Sequence, residues 1–163
     1  GFACLTGAEL AEAGAEAEEV AAAVNSRARR SNTYFYVDSL EYLKRGGRIG
    51  KASAAIGAAL RVKPILGVRD GRVELLEKAR TPSKALARLL EISVAAAKAD
   101  DGDVDVAVQH IDAPERADEI AEQISVALGG KDVVRIEIGA VVGAHVGPGC
   151  VAVTIAPKPW SQT

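Results

Sequence analysis

Residues 104–142 read VDVAVQHIDAPERADEIAEQISVALGGKDVVRIEIGAVV and decide the fold class. VDVAVQHI has the alternating, β-branched composition of a strand, and VVRIEIGAVV predicts a second strand. Between them, Asp112 with Glu115 predicts a capping box at the start of a helix, and Gly129 with Gly130 predicts its end. The apolar face of that helix is expected to contain Ala117, Ile120, Ala121, Ile124 and Leu128. A strand, a helix and a strand in this order predict a β-α-β unit, and therefore an α/β protein.

The residues on either side of this unit predict more strands and helices. VKPILGV and RVELLEKA flank Asp70 and Gly71, and an Asp-Gly pair between two β-rich runs predicts a hairpin. Thr81 before Pro82 predicts the start of a long helix, since the hydroxyl accepts a bond from a free amide. The other predicted elements are a strand at Thr33–Asp38, a short helix capped by Ser39 and ended by Gly46 and Gly47, a helix at Ala52–Leu60, and a last strand at Val151–Ile155. Together they predict a two-layer mixed sheet with helices packed on one face.

The N-terminal stretch differs in composition from the rest. Ala8–Ala28 is rich in Ala and Glu and predicts one helix, with a thin apolar stripe formed by Leu10, Val20 and Val24. The chain contains no Met, and its first residue, Gly1, precedes a helical pattern that is already under way. We therefore expect this chain to be part of a larger protein.

The composition sets limits on the class of protein. A length of 163 residues with 48% hydrophobic and 26% charged residues fits one globular domain, or one domain and part of another. Neither a signal-peptide pattern nor an apolar run of about 18 residues occurs, which predicts a cytoplasmic protein without membrane insertion. Cys4 and Cys150 are predicted to be buried thiols, because neither a disulfide framework nor a metal-ligand pattern is present.

Charge is unevenly distributed along the chain. Tyr42–Leu90 contains 12 basic and 3 acidic residues, a balance of +9, whereas the remainder carries −11. This asymmetry predicts an anionic ligand or an acidic partner for the middle of the chain.

The segment LKRGGRIGK, residues 43–51, is one candidate anion site. Its two adjacent glycines expose backbone amides, and Lys44, Arg45, Arg48 and Lys51 surround them. The spacing fits neither a P-loop nor a dinucleotide-binding turn. Nucleic-acid binding is disfavoured, because Tyr42 is the one aromatic residue nearby. The alternative interpretation is a helix C-cap with solvated cations.

Two single residues are further candidates. In GAHVGPG, residues 143–149, His145 is expected on a rigid turn where its imidazole meets a carboxylate or phosphate, although a structural histidine is the alternative. Arg80 precedes the predicted Thr81 cap, where a guanidinium and helix amides act on the same anion; a surface arginine is the alternative. Neither a nucleophile elbow nor a metal-ligand spacing occurs, so catalysis by this chain is weakly supported.

Four segments in register resemble the DegV family of bacterial fatty-acid-binding proteins. They are LEYLKRGGRIG, AAIGAALRVKPIL, DGRVELLEKARTPSKA and GAHVGPG, and AELAEAGAEAEEVAAAVN looks like the family helix that precedes the first strand. The resemblance implies the C-terminal domain of a two-domain protein. Residues 1–31 would be a helix that belongs to or bridges toward a missing N-terminal domain, and residues 32–163 would form the DegV-like C-terminal domain.

The resemblance also implies a function and a set of site residues. The protein would be a lipid carrier and not an enzyme, without a cofactor or metal. It would bind a long-chain fatty acid and present its carboxylate to a partner fatty acid kinase for acyl-phosphate formation. The predicted ligand-binding residues are His145, Gly143, Gly147, Ile56, Leu60, Ile65 and Leu66, and the predicted partner-binding residues are Arg80, Arg45 and Arg48.

Two other functions remain open on the sequence. LKRGGRIGK is compatible with an enzyme that acts on a phosphorylated small molecule, which would need an acid-base pair near His145. A structural or regulatory domain, in which the cations only solubilise the chain, is the second alternative.

Overall fold

A computed structural model describes residues 1–49, 62–99 and 103–158. The predicted helix at Ala52–Leu60 lies outside these residues. The described helices are α1 (Phe2–Glu12), α2 (Ala17–Arg30), α3 (Glu41–Arg45), α4 (Pro82–Ala99), α5 (Pro114–Ala127) and α6 (Ala140–Val146). The described strands are β1 (Asn32–Tyr36), β2 (Lys63–Arg69), β3 (Arg72–Ala79), β4 (Val104–His110), β5 (Val133–Glu137) and β6 (Val151–Pro157).

These strands form one mixed sheet in the order β3-β2-β1-β6-β4-β5. β4 and β5 are parallel and are joined through α5, as predicted for a β-α-β unit, and the other neighbours are antiparallel. Asp70 and Gly71 turn the β2–β3 hairpin with positive φ angles of 49° and 71°. That pair of angles is what a tight two-residue hairpin turn requires. The predicted α/β class and mixed sheet are confirmed.

The long helices α4 and α5 cover one face of the sheet. Tyr36 of β1 and Ile65 of β2 point to this face and pack with Leu89 of α4 and Ile124 of α5. The amide of Lys84 donates to Thr81 Oγ1 at 3.3 Å, so the predicted cap of α4 is confirmed. Burial of these apolar side chains gives the main core, since each contributes about 1.5–3 kcal/mol relative to exposure.

The other face of the sheet carries a second apolar cluster. Phe35 alternates with Tyr36 along β1 and therefore points to this second face. There it packs with Leu66, with Leu43 of α3 and with Val146 of α6. The short helices α3 and α6 lie together at one end of this face, and α2 contacts it near the other end through the Arg27–Asp105 pair. In the described part of the chain, the strands between these helices stay uncovered on this side. We call it the open face.

The N-terminal stretch forms two helices, so the prediction of one helix over Ala8–Ala28 is wrong. Gly14, at a φ of 85°, separates α1 from α2. The buried Arg27 of α2 ties the pair together, because its Nη1 donates to Thr6 Oγ1 of α1 at 2.6 Å and its Nη2 pairs with Asp105 of β4. Cys4 in α1 is exposed, in contrast to its predicted burial.

Two further local predictions differ from the structure. The second strand of the β-α-β unit ends at Glu137, and the GAVVGAHV segment beyond it forms α6. Asp112 has a φ of 49°, and Ala113 takes the N-cap position of α5 without a side-chain cap, so the predicted capping box does not form. Pro114 at the first position starts this helix, where its missing amide proton has no consequence.

Candidate functional site

A groove of about 420 Å³ lies on the open face, between the hairpin turn and the α3–α6 end. Its floor comes from β1 and β6, through Phe35 and Ala152, and its sides come from Val73 of β3 and Ile138 after β5. The volume lies within the range of small-molecule sites, about 300–1,000 Å³. An apolar floor with polar groups near the ends fits an elongated amphiphilic ligand.

His145 lies in the last turn of α6 and lines the groove. The predicted rigid turn is therefore a helix end, and Gly147, at a φ of 75°, caps it. The Nδ1 atom of His145 is buried and has no hydrogen-bond partner among the described residues. A Cβ atom built on Gly46 of the α3 end would lie 2.1 Å from Nδ1. Gly46 thus allows α3 and the imidazole to meet.

Two glycines near His145 also allow close packing. A Cβ on Gly143 would lie 2.9 Å from Ile111 Cδ1, and a Cβ on Gly147 would lie 2.3 Å from Tyr42 Cδ2. Both glycines were predicted as site residues from GAHVGPG. Their structural role is to let α6 approach α3 and β4 at this end of the groove.

Asp38 forms an ionic network directly behind this end of the groove. It accepts a hydrogen bond from the Tyr36 hydroxyl, and its Oδ1 lies 3.2 Å from Lys63 Nζ. Arg116 Nη1 donates to Asp38 Oδ2 at 3.0 Å and to Gly149 O at 3.4 Å. The network therefore ties β1, β2 and α5 to the turn that connects α6 with β6.

The network shifts the pKa values of Asp38 and Tyr36. Burial raises the pKa of the Asp38 carboxyl, but hydrogen bonds from Tyr36, Arg116 and Lys63 outweigh burial and leave this pKa below its usual value. Burial, followed by the bond to Asp38, raises the pKa of Tyr36. Asp38 is therefore a carboxylate at neutral pH, and Tyr36 stays a hydrogen-bond donor.

The three predicted partner-binding arginines occupy different positions. Arg48 lines the groove and donates from Nη1 to Gly46 O at 3.2 Å. Arg45 is exposed, with its guanidinium carbon 5.3 Å from the centre of the Tyr42 ring. Arg80 is exposed just before α4 and is not among the groove residues that the structure describes. Of these three arginines, only Arg48 lines the described groove.

The predicted acyl-contact residues divide between the two faces. Leu66 belongs to the cluster of the open face, whereas Ile65 packs under α4 on the opposite face. Consecutive strand residues point to opposite sides of a sheet, so Ile65 and Leu66 lie on different faces. Ile56 and Leu60 lie outside the described residues.

Several groove residues escaped the sequence analysis. Phe35, Ile138 and Cys150 line the groove, and no motif distinguishes them. Strand alternation could have identified Phe35, because it places Phe35 and Tyr36 on opposite faces of the sheet. Burial raises the pKa of the Cys150 thiol to about 12, so at neutral pH this side chain is an apolar wall and not a nucleophile.

Residues 1–49, 62–99 and 103–158 contain neither a metal-binding cluster nor a membrane-spanning helix. Within these ranges, no group of three or more His, Cys, Asp or Glu side chains is arranged to hold a metal ion. Over the same ranges, every helix is too short or too polar to cross a bilayer.

Comparison with known families gives one match over almost the whole chain. The family model described as "Uncharacterised protein, DegV family" matches residues 1–158. A DegV domain-containing protein of Streptomyces coelicolor is 49% identical over 159 residues, which are 97% of this chain and 56% of that protein. The chain therefore spans little more than half the length of this curated relative.

Solved structures show the same fold. A fatty acid binding DegV family protein from Streptococcus agalactiae superposes with a TM-score of 0.88 at 30% identity, over 97% of this chain and 56% of that one. DegV from Bacillus subtilis, described as a fatty acid binding protein, gives 0.82 at 32% identity, over 96% and 56%. Both of these relatives are described as fatty acid binding proteins.

Proposed function

The chain belongs to the DegV family, and from that premise we propose that its groove holds the hydrocarbon part of a long-chain fatty acid. The observation that carries the proposal is the largely apolar groove on the open face, where Phe35, Val73 and Ala152 offer apolar contacts. Each methylene that leaves water contributes about 0.8 kcal/mol, so a long chain binds tightly with few polar contacts.

The carboxylate is assigned to the α3–α6 end of the groove. His145 and Arg48 line the groove there, and both donate hydrogen bonds to an anion. Charge-assisted hydrogen bonds of this kind are stronger than neutral ones. The groove would thus fix the head group at one end and the acyl chain along β1.

Presentation of the carboxylate to a partner fatty acid kinase is the finer part of the proposal. Arg45 and Arg80 are exposed and belong to the +9 middle segment, which suits an acidic or phosphate-bearing partner. In this role the chain carries the substrate and the partner supplies the phosphoryl chemistry. A cytoplasmic location is part of the same proposal.

Residues of a longer protein would complete the site. The chain spans about 56% of its curated and solved relatives, and the open face leaves one side of the groove uncovered by long helices in the described residues. Residues 1–31 would contact that additional domain. Polar side chains from it would complete the hydrogen bonds to the carboxylate.

The test is lipid extraction and mass spectrometry of the natural-length protein that contains this chain. We expect one long-chain fatty acid to copurify and a labelled fatty acid to exchange with it. Addition of a partner kinase and ATP should then yield an acyl phosphate. Purification without lipid, and no binding of added fatty acid, would reject the proposal and return the enzyme and structural alternatives to first place.

A further inference from the structure

Three polar side chains lie together on the open face. Thr33 of β1 is paired directly with Thr154 of β6, and their Oγ1 atoms are 3.0 Å apart. Gln109 of β4 donates from Nε2 to Thr154 Oγ1 at 3.2 Å. Thr33 and Gln109 line the groove. We call Thr33, Gln109 and Thr154 the polar trio.

The hydrogen-bonding capacity of the polar trio exceeds what its own bonds use. The two threonines carry two hydroxyl protons and share one bond between them, and the Gln109 amide carries two protons and a carbonyl oxygen. One hydroxyl proton, one amide proton and Gln109 Oε1 therefore remain without a partner in the residues that the structure describes. These groups are solvated as long as the groove is open.

An unsubstituted acyl chain over the polar trio would displace that water without forming hydrogen bonds in its place. Polar groups that lose water without gaining a hydrogen bond weaken binding, and a site that offers both donors and an acceptor discriminates against a ligand that has neither. Phe35, Val68 and Ala152 around the trio are apolar, so the unused polar groups are confined to one place in the groove.

The polar trio is separated from the assigned carboxylate end. Thr154 lies four residues beyond Cys150, which lines the groove next to the α6 end. At about 3.3 Å per residue of strand, Thr154 and its partner Thr33 are about 13 Å from that end, and Gln109, in register with Ala152, is about 7 Å from it. A ligand whose carboxylate meets His145 would thus pass the trio with the middle of its chain.

We propose that Thr33, Gln109 and Thr154 form a subsite for a hydrogen-bonding substituent on the acyl chain, so that the groove prefers a mid-chain hydroxy fatty acid to the unsubstituted acid. This inference rests on the proposed function, because it takes the orientation of a bound fatty acid from it. A hydroxyl suits the site since it both donates, to Gln109 Oε1, and accepts, from the free threonine hydroxyl or amide proton.

The experiment measures dissociation constants of the natural-length protein for stearic acid and for hydroxystearic acids with the hydroxyl near the carboxylate or at mid-chain. The variants are Gln109→Leu and Thr33→Val, which remove the polar groups at nearly constant volume. Gln123→Leu, the same change at an exposed position of α5, is the matched control.

We expect the mid-chain hydroxy acid to bind about fivefold more tightly than stearic acid, the size of effect of one net hydrogen bond. Gln109→Leu and Thr33→Val should each reduce that ratio to about one and strengthen stearic acid binding, while Gln123→Leu keeps the ratio. Thr33→Val decides the question if Gln109→Leu fails to fold.

Three results would overturn the subsite. If the unaltered protein binds stearic acid and mid-chain hydroxystearic acid equally, the proposed preference for the hydroxy acid is wrong and the proposed function still holds. Loss of all fatty-acid binding in Gln109→Leu and Thr33→Val would mean that the trio holds the carboxylate. If the unaltered protein binds neither acid, the proposed function fails and the subsite fails with it.

Discussion

Asp38 connects β1, β2, α5 and the turn between α6 and β6. Its carboxylate meets Tyr36, Lys63 and Arg116, and Arg116 continues to the carbonyl of Gly149. A Cβ on Gly149 would lie 2.0 Å from Asp38 Oδ2, so that glycine is required for the approach. At residue scale, the Asp38 carboxylate thus adds to the backbone bonds between Gly149, Cys150 and Ile111 that hold the turn between α6 and β6.

Asp38→Asn is expected to lower the free energy of unfolding by about 1–2 kcal/mol at neutral pH, since charged hydrogen bonds in a partly exposed site are lost. The pKa of Asp38 is depressed in the folded state, so its contribution is complete above the ordinary carboxyl value of about 4 and disappears as pH falls through the lower folded value. Urea denaturation at several pH values should therefore show the difference between Asp38→Asn and the unaltered chain narrowing in acid.

Glu77→Gln is the control for Asp38→Asn, because it removes a carboxylate from an exposed pair with Arg88. Little change in stability is expected from it, as exposed ion pairs contribute little. If the difference in free energy of unfolding between the unaltered chain and Asp38→Asn stays constant down to the lowest pH, Asp38 acts through packing alone.

His145 is the second residue whose role is testable. His145→Ala should weaken fatty-acid binding by the natural-length protein about tenfold or more, as expected for loss of one hydrogen bond to a charged group. The melting temperature should change little, because Nδ1 has no partner to lose among the described residues. Calorimetric titration with an unlabelled fatty acid measures the affinity, and thermal melts measure the melting temperature. A large loss of stability with unchanged affinity would make His145 structural.

At the scale of elements, the contact between α3 and α6 sets the position of the imidazole. Gly46 has a φ of −76°, so alanine is compatible with its backbone, and the effect of a substitution is steric. Gly139, at a φ of −65° and with nothing within 4 Å of a built Cβ, is the matched control before α6.

Gly46→Ala is therefore expected to displace His145 and weaken fatty-acid binding to about the same degree as His145→Ala, because the new methyl group would occupy the place of Nδ1. Gly139→Ala should leave binding unchanged. Affinity measurements on both variants, and on Gly46→Ala combined with His145→Ala, check this. If the two effects add fully in the double variant, Gly46 acts independently of the imidazole.

At the scale of the whole molecule, the open face exposes apolar side chains. Val68, Val134, Ile136 and Val142 are between 42% and 51% exposed, and strand alternation or groove lining places them on this side of the sheet. Exposed apolar patches of this kind mark surfaces that bind ligand or another part of a protein.

The 163-residue chain alone is expected to bind fatty acid much more weakly than the natural-length protein, because one side of its groove is open to water. It should also bind a hydrophobic fluorescent dye, and the longer protein should bind less. Fluorescence titration of both proteins with a labelled fatty acid gives the comparison. Equal affinities would show that the described groove is sufficient by itself.

The charge distribution leads to a prediction about the partner. Arg80→Ala should reduce acyl-phosphate formation by a partner kinase with little change in fatty-acid affinity, because Arg80 lies outside the described groove. Association should also slow as added salt shortens the Debye length below about 10 Å. Kinase assays at low and high salt measure both effects.

The charge-matched control for Arg80 has to avoid the groove. Arg72 lines it, so Arg69 at the end of β2 is the suitable choice. If Arg69→Ala and Arg80→Ala both reduce acyl-phosphate formation only slightly and equally, the basic segment acts through its overall positive charge and not through a specific Arg80 contact. Release of the lipid by Arg80→Ala would assign that residue to the ligand site.

Local chemistry allowed much of the fold to be predicted from the sequence by itself. The Asp70–Gly71 turn, the Thr81 cap of α4 and the glycines after α5 follow from conformational preferences of a few neighbouring residues. The β-α-β unit follows from the change in apolar period along residues 104–142, and it implied the parallel pair of strands.

The tertiary structure alone decided which residues meet. Sequence period could not show that GAVVGAHV forms a helix, because glycine and valine also favour turns and strands, and the packing of α6 on α3 and Ile111 selects the helix. The assignment of Leu66 to the cluster on the open face and of Ile65 to the main core depends on which face α4 covers. The Asp38 network and the polar trio join residues that lie up to 121 positions apart, so long-range contacts determine them and local preferences do not.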